Sequence, residues 1–199
     1  MKIGVIGTGT IASAVVEGLA GQGHQITVSE RSAARAADLA ARFAEVDIAS
    51  NQSVLDRSDV VFLGLMAEQA GDILHPLTFG AQHRVVSLMA GASLEGVAGL
   101  VGPASAEAVM IPFPGIAQGG SPIMVRGNAA LISDLFAPAN SVFALGSDDE
   151  LSAYLCAQAV LSPAAKMVNG AAAWLGNRVA DPQQAETFLR VLVGSSLLA

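Results

Sequence analysis

The sequence predicts an α/β protein: a doubly wound, mostly parallel sheet followed by a small all-helical segment. Three observations carry that expectation. Short apolar runs rich in Val and Ile alternate with helical stretches from residue 2 to about residue 145. The first run ends in a glycine-rich turn that opens directly into a helix. After Gly146-Ser147 strand patterning stops, and three apolar helical stretches follow. The domain boundary is therefore expected there, with residues 1–147 forming the sheet domain and residues 148–199 the helical segment.

Each element has its own signal. Lys2–Gly7 (KIGVIG) reads as a strand buried on both faces, and Ile11–Gln22 as a helix stopped by Gly21-Gln22-Gly23. Ile26–Ser29 is a second strand. The Ala-rich stretch Ser32–Phe43 is a second helix, with Ser32 available as its N-cap. A short strand near Val46–Ile48, a helical turn at Asn51–Arg57 and a strong strand at Asp59–Leu65 come next. Glu68–Leu77 reads as helix up to Pro76, Arg84–Met89 as strand and Ser93–Leu100 as a capped helix. Ala108–Ile111 and Ile123–Val125 are expected strands, separated by Pro112-Phe113-Pro114-Gly115, a stretch too rich in Pro for a helix. Asn128–Phe136 is a helix and Ser141–Leu145 a last edge strand. Beyond Gly146-Ser147 the expected helices are 148–161, 163–176 and 182–198, with Pro163 and Pro182 at helix starts.

Composition narrows the function. Ten Lys+Arg against 17 Asp+Glu give a formal net charge of -7, with no basic stripe, so nucleic acid is not an expected partner. Cys156 is the single cysteine, and His24, His75 and His83 lack metal-ligand spacing, so neither a disulfide nor a metal site is expected. Mean hydropathy is +0.54, but no uninterrupted apolar run approaches the ~18 residues of a membrane span. Strand pattern from Lys2 leaves no room for a cleavable leader, so a cytoplasmic protein is expected. The last two helices are apolar almost all round, which favours a homodimer formed through them.

The turn after the first strand carries the chemistry. Gly7-Thr8-Gly9-Thr10-Ile11-Ala12 is a G-x-G-x-x-A pattern between a strand and a helix, the context of a Rossmann dinucleotide site. Gly7 permits the tight turn, Gly9 lets backbone approach a pyrophosphate, and Ala12 keeps helix close to sheet. The helix N-terminus offers free N–H groups to the anion. At the end of the second strand stand Ser29-Glu30-Arg31-Ser32. Arg and Ser cradle a 2′-phosphate, whereas an acid bonds a 2′-hydroxyl, so Arg31 and Ser32 favour NADP, and Glu30 keeps NAD as the alternative.

With these residues in view, a family resemblance emerges. MKIGVIGTGTIASAVVEGL, Asn51 before SDVVFLGL, and VVSLMAGASLEGVAGL resemble pyrroline-5-carboxylate reductase, an NADPH-dependent imine reductase of proline biosynthesis. Asp149-Glu150-Leu151, Ser162-Pro163-Ala164, Asp181-Pro182 and Val191-Leu192-Val193-Gly194 extend the likeness through the helices. The resemblance implies that Gly7, Thr8, Gly9, Thr10, Ile11 and Ala12 hold the pyrophosphate. It implies that Ser29, Arg31, Ser32 and Asn51 serve the adenosine side, and that Leu65, Met66, Ala67, Ala90 and Gly91 line the nicotinamide. The substrate would face Pro112, Phe113 and Pro114.

The departures from that family all remove polar groups. Its Lys-Pro after the fourth strand is Met66-Ala67 here, and its Pro-Asn-Thr-Pro loop is Ile111-Pro112-Phe113-Pro114. Its substrate-facing Thr falls at Val191, and the chain reaches Ala199 before the family's Pro-Gly-Gly-Thr-Thr segment. Lys166 and Asn169, three apart on one helix face, also resemble the Lys-x-x-Asn of β-hydroxyacid dehydrogenases, which would make Lys166 a general acid/base. The expected function is hydride transfer from NADPH to a small imine. The alternatives are a Lys166-dependent hydroxyacid dehydrogenase and a catalytically inactive NADP-binding protein.

Overall fold

A computed structural model describes residues 1–197. The chain forms two units, Met1–Ser152 and Ala153–Ala199. The first is a single eight-stranded sheet in the order β3-β2-β1-β4-β5-β6-β7-β8. Its strands are β1 (Lys2–Ile6), β2 (Gln25–Ser29), β3 (Val46–Ala49), β4 (Val60–Leu63), β5 (Arg84–Ser87), β6 (Ser105–Pro112), β7 (Pro122–Gly127) and β8 (Ser141–Leu145). The first six strands run parallel, and β7 turns back antiparallel to β6 with β8 parallel to it. The strand order reverses between β1 and β4, the switch point at which such sheets leave a crevice.

Burial explains the patterns read from the sequence. β1 and β4 lie at the centre with both faces covered, so Ile3, Val5 and Ile6 and all of Val60–Leu63 are buried. Helices α1 (Thr10–Leu19), α2 (Ala33–Arg42), α3 (Asn51–Asp56), α4 (Ala67–Leu74), α5 (Leu94–Val101) and α6 (Ala129–Phe136) fill the crossovers. α1 buries Ala12, Val15, Val16 and Leu19, the i, i+3, i+4, i+7 stripe of a helix with one face on the core. Phe62 meets Phe136 of α6 edge-on, with ring centroids 6.3 Å apart.

Two local expectations are corrected. The Pro-rich stretch after β6 does form a helical turn, a 3₁₀ turn at Pro114–Ala117. A turn that short needs only i→i+3 bonds, and Pro at its first position loses no bond. It packs against α1 where a Cβ on Gly18 would stand 2.9 Å from the Ile116 carbonyl oxygen. Ser32 precedes α2, but its hydroxyl makes no cap hydrogen bond.

The second unit begins midway along α7 (Asp148–Ala157) and continues through a 3₁₀ turn at Gln158–Val160, α8 (Leu161–Gly176) and α9 (Pro182–Leu197). The expected helix boundary at 161–163 is thus replaced by a short 3₁₀ turn. Pro163 falls at the third residue of α8, where its missing N–H is one of those left unpaired at any helix start. The expected end of the last helix at Leu198 lies outside the described residues. Within Ala153–Leu197 the buried residues are Ala172 and Ala185, while Trp174 is 59% and Met167 76% exposed. No described helix is long and apolar enough to cross a membrane.

Where the sheet changes direction, Glu107 of β6 ties three elements together. Asn128 Nδ2 donates to its carboxylate at 2.6 Å, and Arg84 stands 3.6 Å away. The Asn128 backbone N–H donates to the Glu107 carbonyl, and Asn128 Oδ1 accepts the Leu131 N–H to cap α6. Burial pushes the Glu107 carboxyl up, but hydrogen bonds from Asn128 and Ser105 and the Arg84 charge outweigh it and hold it below the ordinary value. A carboxyl depressed in the folded state stabilises above its unfolded pKa, and that stabilisation is lost as pH falls through the folded value. Glu107→Gln should therefore lose less stability than the parent between neutral pH and about pH 3, read from urea midpoints across the series.

Candidate dinucleotide-binding site

The site begins at the C-terminal end of β1, where backbone meets backbone. Gly7 has φ +91, and a Cβ there would run into the Gly64 carbonyl at the end of β4. Gly64 is equally restricted: its own Cβ would lie 2.6 Å from both the Gly7 oxygen and the Ala12 Cβ. The Gly64 N–H donates to the Ile6 carbonyl at 2.8 Å, and the Gly7 N–H donates to Ser29 Oγ at 2.8 Å. Three strands, β2, β1 and β4, are thus clamped at one point. Ser29, expected on the adenosine side, is fully buried beneath the loop and serves as this clamp.

Above the clamp the polypeptide leaves donors free. The first intrahelical bond of α1 runs from the Ser13 N–H to the Gly9 carbonyl, and no side chain caps the helix. The N–H groups of Thr10, Ile11 and Ala12 therefore have no acceptor among the described residues. α2 and α4 also start without a side-chain cap. By contrast Ser50, Ser93 and Asn128 cap α3, α5 and α6. A side-chain cap is worth ~1 kcal/mol, so leaving α1, α4 and the 3₁₀ turn Glu30–Ser32 that leads into α2 without one on the same edge keeps donors available to an anion.

A cleft of about 370 Å³ opens over this edge, lined by Gly9–Ala12, Gly64–Glu68, Leu88 and Ala90. It brings the fingerprint together with Leu65, Met66, Ala67 and Ala90, as expected of the loops after β4 and β5. A second cleft of about 380 Å³ joins Glu30, Arg31 and Asn51 to Asp72, Ile73, Pro76 and Leu77. Arg31 reaches across to α4, donating to Gln69 Oε1 at 3.0 Å. That contact joins segments that follow β2 and β4, the two strands flanking β1. A groove of about 360 Å³ on the far side of α1 sets Pro114 beside Thr10, Ser13 and Arg35.

Several expected residues stand outside these clefts. Ser32 is half-buried beside the second, and Gly91, with φ +83, turns the exposed loop after β5. Pro112 is buried at the end of β6 opposite Ile123, and Phe113 is half-buried next to it. Lys166 is exposed on α8, not enclosed by the apolar neighbours its sequence context suggested, because α8 buries only Ala172. Gly64, Leu88 and Glu68 also line the first cleft and belong to no motif in the sequence. Gly64 had a visible signal, a glycine interrupting the apolar run of β4, but its partner Gly7 is 57 residues away and only strand pairing joins them.

The residues present fit a dinucleotide. A Cβ at Gly9 would meet no atom within 4 Å and would instead project into open space beside the cleft, so glycine keeps the approach clear. The Thr8 hydroxyl is buried without a protein partner, an unmet polar group in the loop itself. Comparison with known proteins agrees with this geometry. Residues 2–91 match the family model described as NADP oxidoreductase coenzyme F420-dependent. The whole fold is similar to that of 1-pyrroline-5-carboxylate reductase from Streptococcus pyogenes. That match has a TM-score of 0.80 at 25% identity, over 99% of this chain and 78% of that one. This chain resembles the pyrroline-5-carboxylate reductases.

The NADP-bound pyrroline carboxylate reductase of Plasmodium falciparum has the same fold, with a TM-score of 0.80 at 12% identity, over 99% of this chain and 77% of that one. So does an Aspergillus terreus reductive aminase in complex with NADPH and ethyl levulinate (0.67 at 22%, covering 99% and 72%). A sequence comparison with curated proteins gives no match.

The two fingerprint glycines should separate in mutagenesis. Gly7→Ala strains a positive φ and collides with backbone, and is expected to cost about 2 kcal/mol or more. Gly9 has φ -70 and open space, so Gly9→Ala should stay within about 0.5 kcal/mol of the parent. Urea denaturation of both variants checks the difference.

Proposed function

We propose that this chain is an NADP-dependent oxidoreductase that passes hydride from NADPH to a small imine. The carrying observation is the cleft that gathers Gly9–Ala12, Leu65–Ala67 and Ala90 over an uncapped α1. Bound there, NADPH would supply a hydride from its dihydronicotinamide ring. Gly7, Thr8, Gly9 and the free N–H groups of Thr10, Ile11 and Ala12 bind the pyrophosphate. Arg31 and Ser32, at the bare start of α2, take the 2′-phosphate, and Asn51 meets the adenosine. Exposed Glu30 beside Arg31 is the feature that would serve NAD instead. Leu65, Met66, Ala67, Ala90 and Gly91 present apolar and backbone surface to the nicotinamide and keep water from it. Pro112, Phe113 and Pro114 bound the substrate side without hydroxyl or amide groups.

The NADP and NADPH complexes of two structural neighbours support the choice of cofactor. No observation favours Lys166 as an acid/base over this reading. The exposed apolar residues of α8 and α9, with only two buried alanines, are covered in this proposal by the same helices of a second copy. Those helices are nearly uncharged, so a like surface meets no repulsion.

Purified protein, eluting at twice its 20.1 kDa chain mass, is expected to consume NADPH when given a cyclic imine. Arg31→Ala should raise the KM for NADPH roughly tenfold while leaving that for NADH nearly unchanged, the loss of one charged phosphate contact. NADPH bound without turnover on any imine would contradict the proposal, and equal use of NADH and NADPH by the parent would contradict the role of Arg31.

A further inference from the structure

At the start of β1 and β2, the ends away from Gly7 and Ser29, the sheet carries a cavity of about 410 Å³. Its origin is the shortness of α3. That helix has six residues and settles on β1, where a Cβ on Gly4 would collide with the side chains of Val54 and Ser58. Part of the same face of β2 and β3 is left without a helix over it. The register sets Thr27 between Gly4 and Asp47, and Gln25 beside Lys2, so these side chains share that face.

Thr27 lines the cavity although it is only 7% exposed. Its hydroxyl has no hydrogen-bond partner among the described residues, whereas a polar side chain that deep ordinarily has one. Around it stand the cations Lys2 and Arg57 and the acids Glu45, Asp47 and Asp56. No ion pair joins any two of them. Glu45 accepts the Gly21 N–H, and Asp56 accepts from Gln52 Nε2. The side chains of Lys2, Asp47 and Arg57 have no partner among the described residues.

We infer that this cavity is a second ligand site and that it takes a free amino acid. Opposite charges that line one hollow without pairing suit a ligand that carries both. Lys2 and Arg57 take its carboxylate and Asp47 its ammonium group, while the Thr27 hydroxyl supplies a hydrogen bond from the floor. A ligand of one charge gains only half of these contacts. The three carboxylates disfavour a phosphate, and the two cations disfavour a metal ion. Because the cavity and the fingerprint lie at opposite ends of β1, both ligands can be bound at once.

Amide NMR spectra of the full chain, titrated in turn with glycine, L-serine and L-glutamine, provide the test. At least one of these should shift the Thr27, Asp47 and Arg57 amides saturably, with or without NADP. Acetate and methylammonium should each bind roughly tenfold more weakly or worse. Asp47→Asn and Arg57→Gln should each weaken the amino acid roughly tenfold, the loss of one charged contact. Thr27→Val keeps the shape of the side chain. It should lose affinity roughly tenfold in a protein that melts no lower than the parent, because the hydroxyl it removes has no partner in the fold. Saturable shifts from none of the three amino acids, or equal binding of acetate or methylammonium, overturn the inference. So does binding abolished by NADP, or unchanged in Thr27→Val. None of these outcomes bears on hydride transfer in the cleft over α1.

Discussion

Everything at the candidate site depends on the contact between two backbones, Gly7 at the end of β1 and Gly64 at the end of β4. Neither position admits a Cβ, because each would intrude on the other's carbonyl. The close approach lets Ala12 of α1 settle against Gly64, which fixes the start of α1 directly above the sheet edge. Ser29 secures the same loop from the other side by accepting the Gly7 N–H. The direction of α1, the height of its free N–H groups and the floor of the cleft all follow from that clamp.

Charged side chains then differ along the edge. On the β2 side Arg31 lines a cleft with Glu30, Asn51 and Asp72, and Arg35 a groove with Glu17 and Asp38. On the β4–β5 side Glu68 is the one ionisable side chain lining the cleft over α1. The uncapped starts of α1, α2 and α4 add donors on both sides of the fingerprint loop, because bare helix N-termini favour anions.

The sheet and its order of elements were legible in the sequence because buried parallel strands and crossover helices impose different periodicities. The fingerprint was legible because each of its residues acts within a few positions of the next. Other parts needed distance. Gly64 matters only through Gly7, and nothing local to Ser29 in the sequence shows its hydroxyl turned under the loop to accept the Gly7 N–H. Glu68 looked like an ordinary acid in a helix's first turn, and only the cleft shows that it stands alone. Lys166 and its apolar neighbours on α8 are exposed in the single chain, so whether they are enclosed depends on what covers that face, which no local pattern shows. The 3₁₀ turns at Pro114–Ala117 and Gln158–Val160 escaped because such short turns have no periodicity to read.

The central claim is that the clamped loop and the bare start of α1 form the seat of a dinucleotide. Hydrogen exchange of the backbone amides, followed with and without NADPH, tests it most directly. Saturating NADPH should slow exchange at residues 9–12 and at 64–68, with little change at β7 and β8. Uniform exchange in both states, or protection confined to segments away from the β1 and β4 ends, would contradict it.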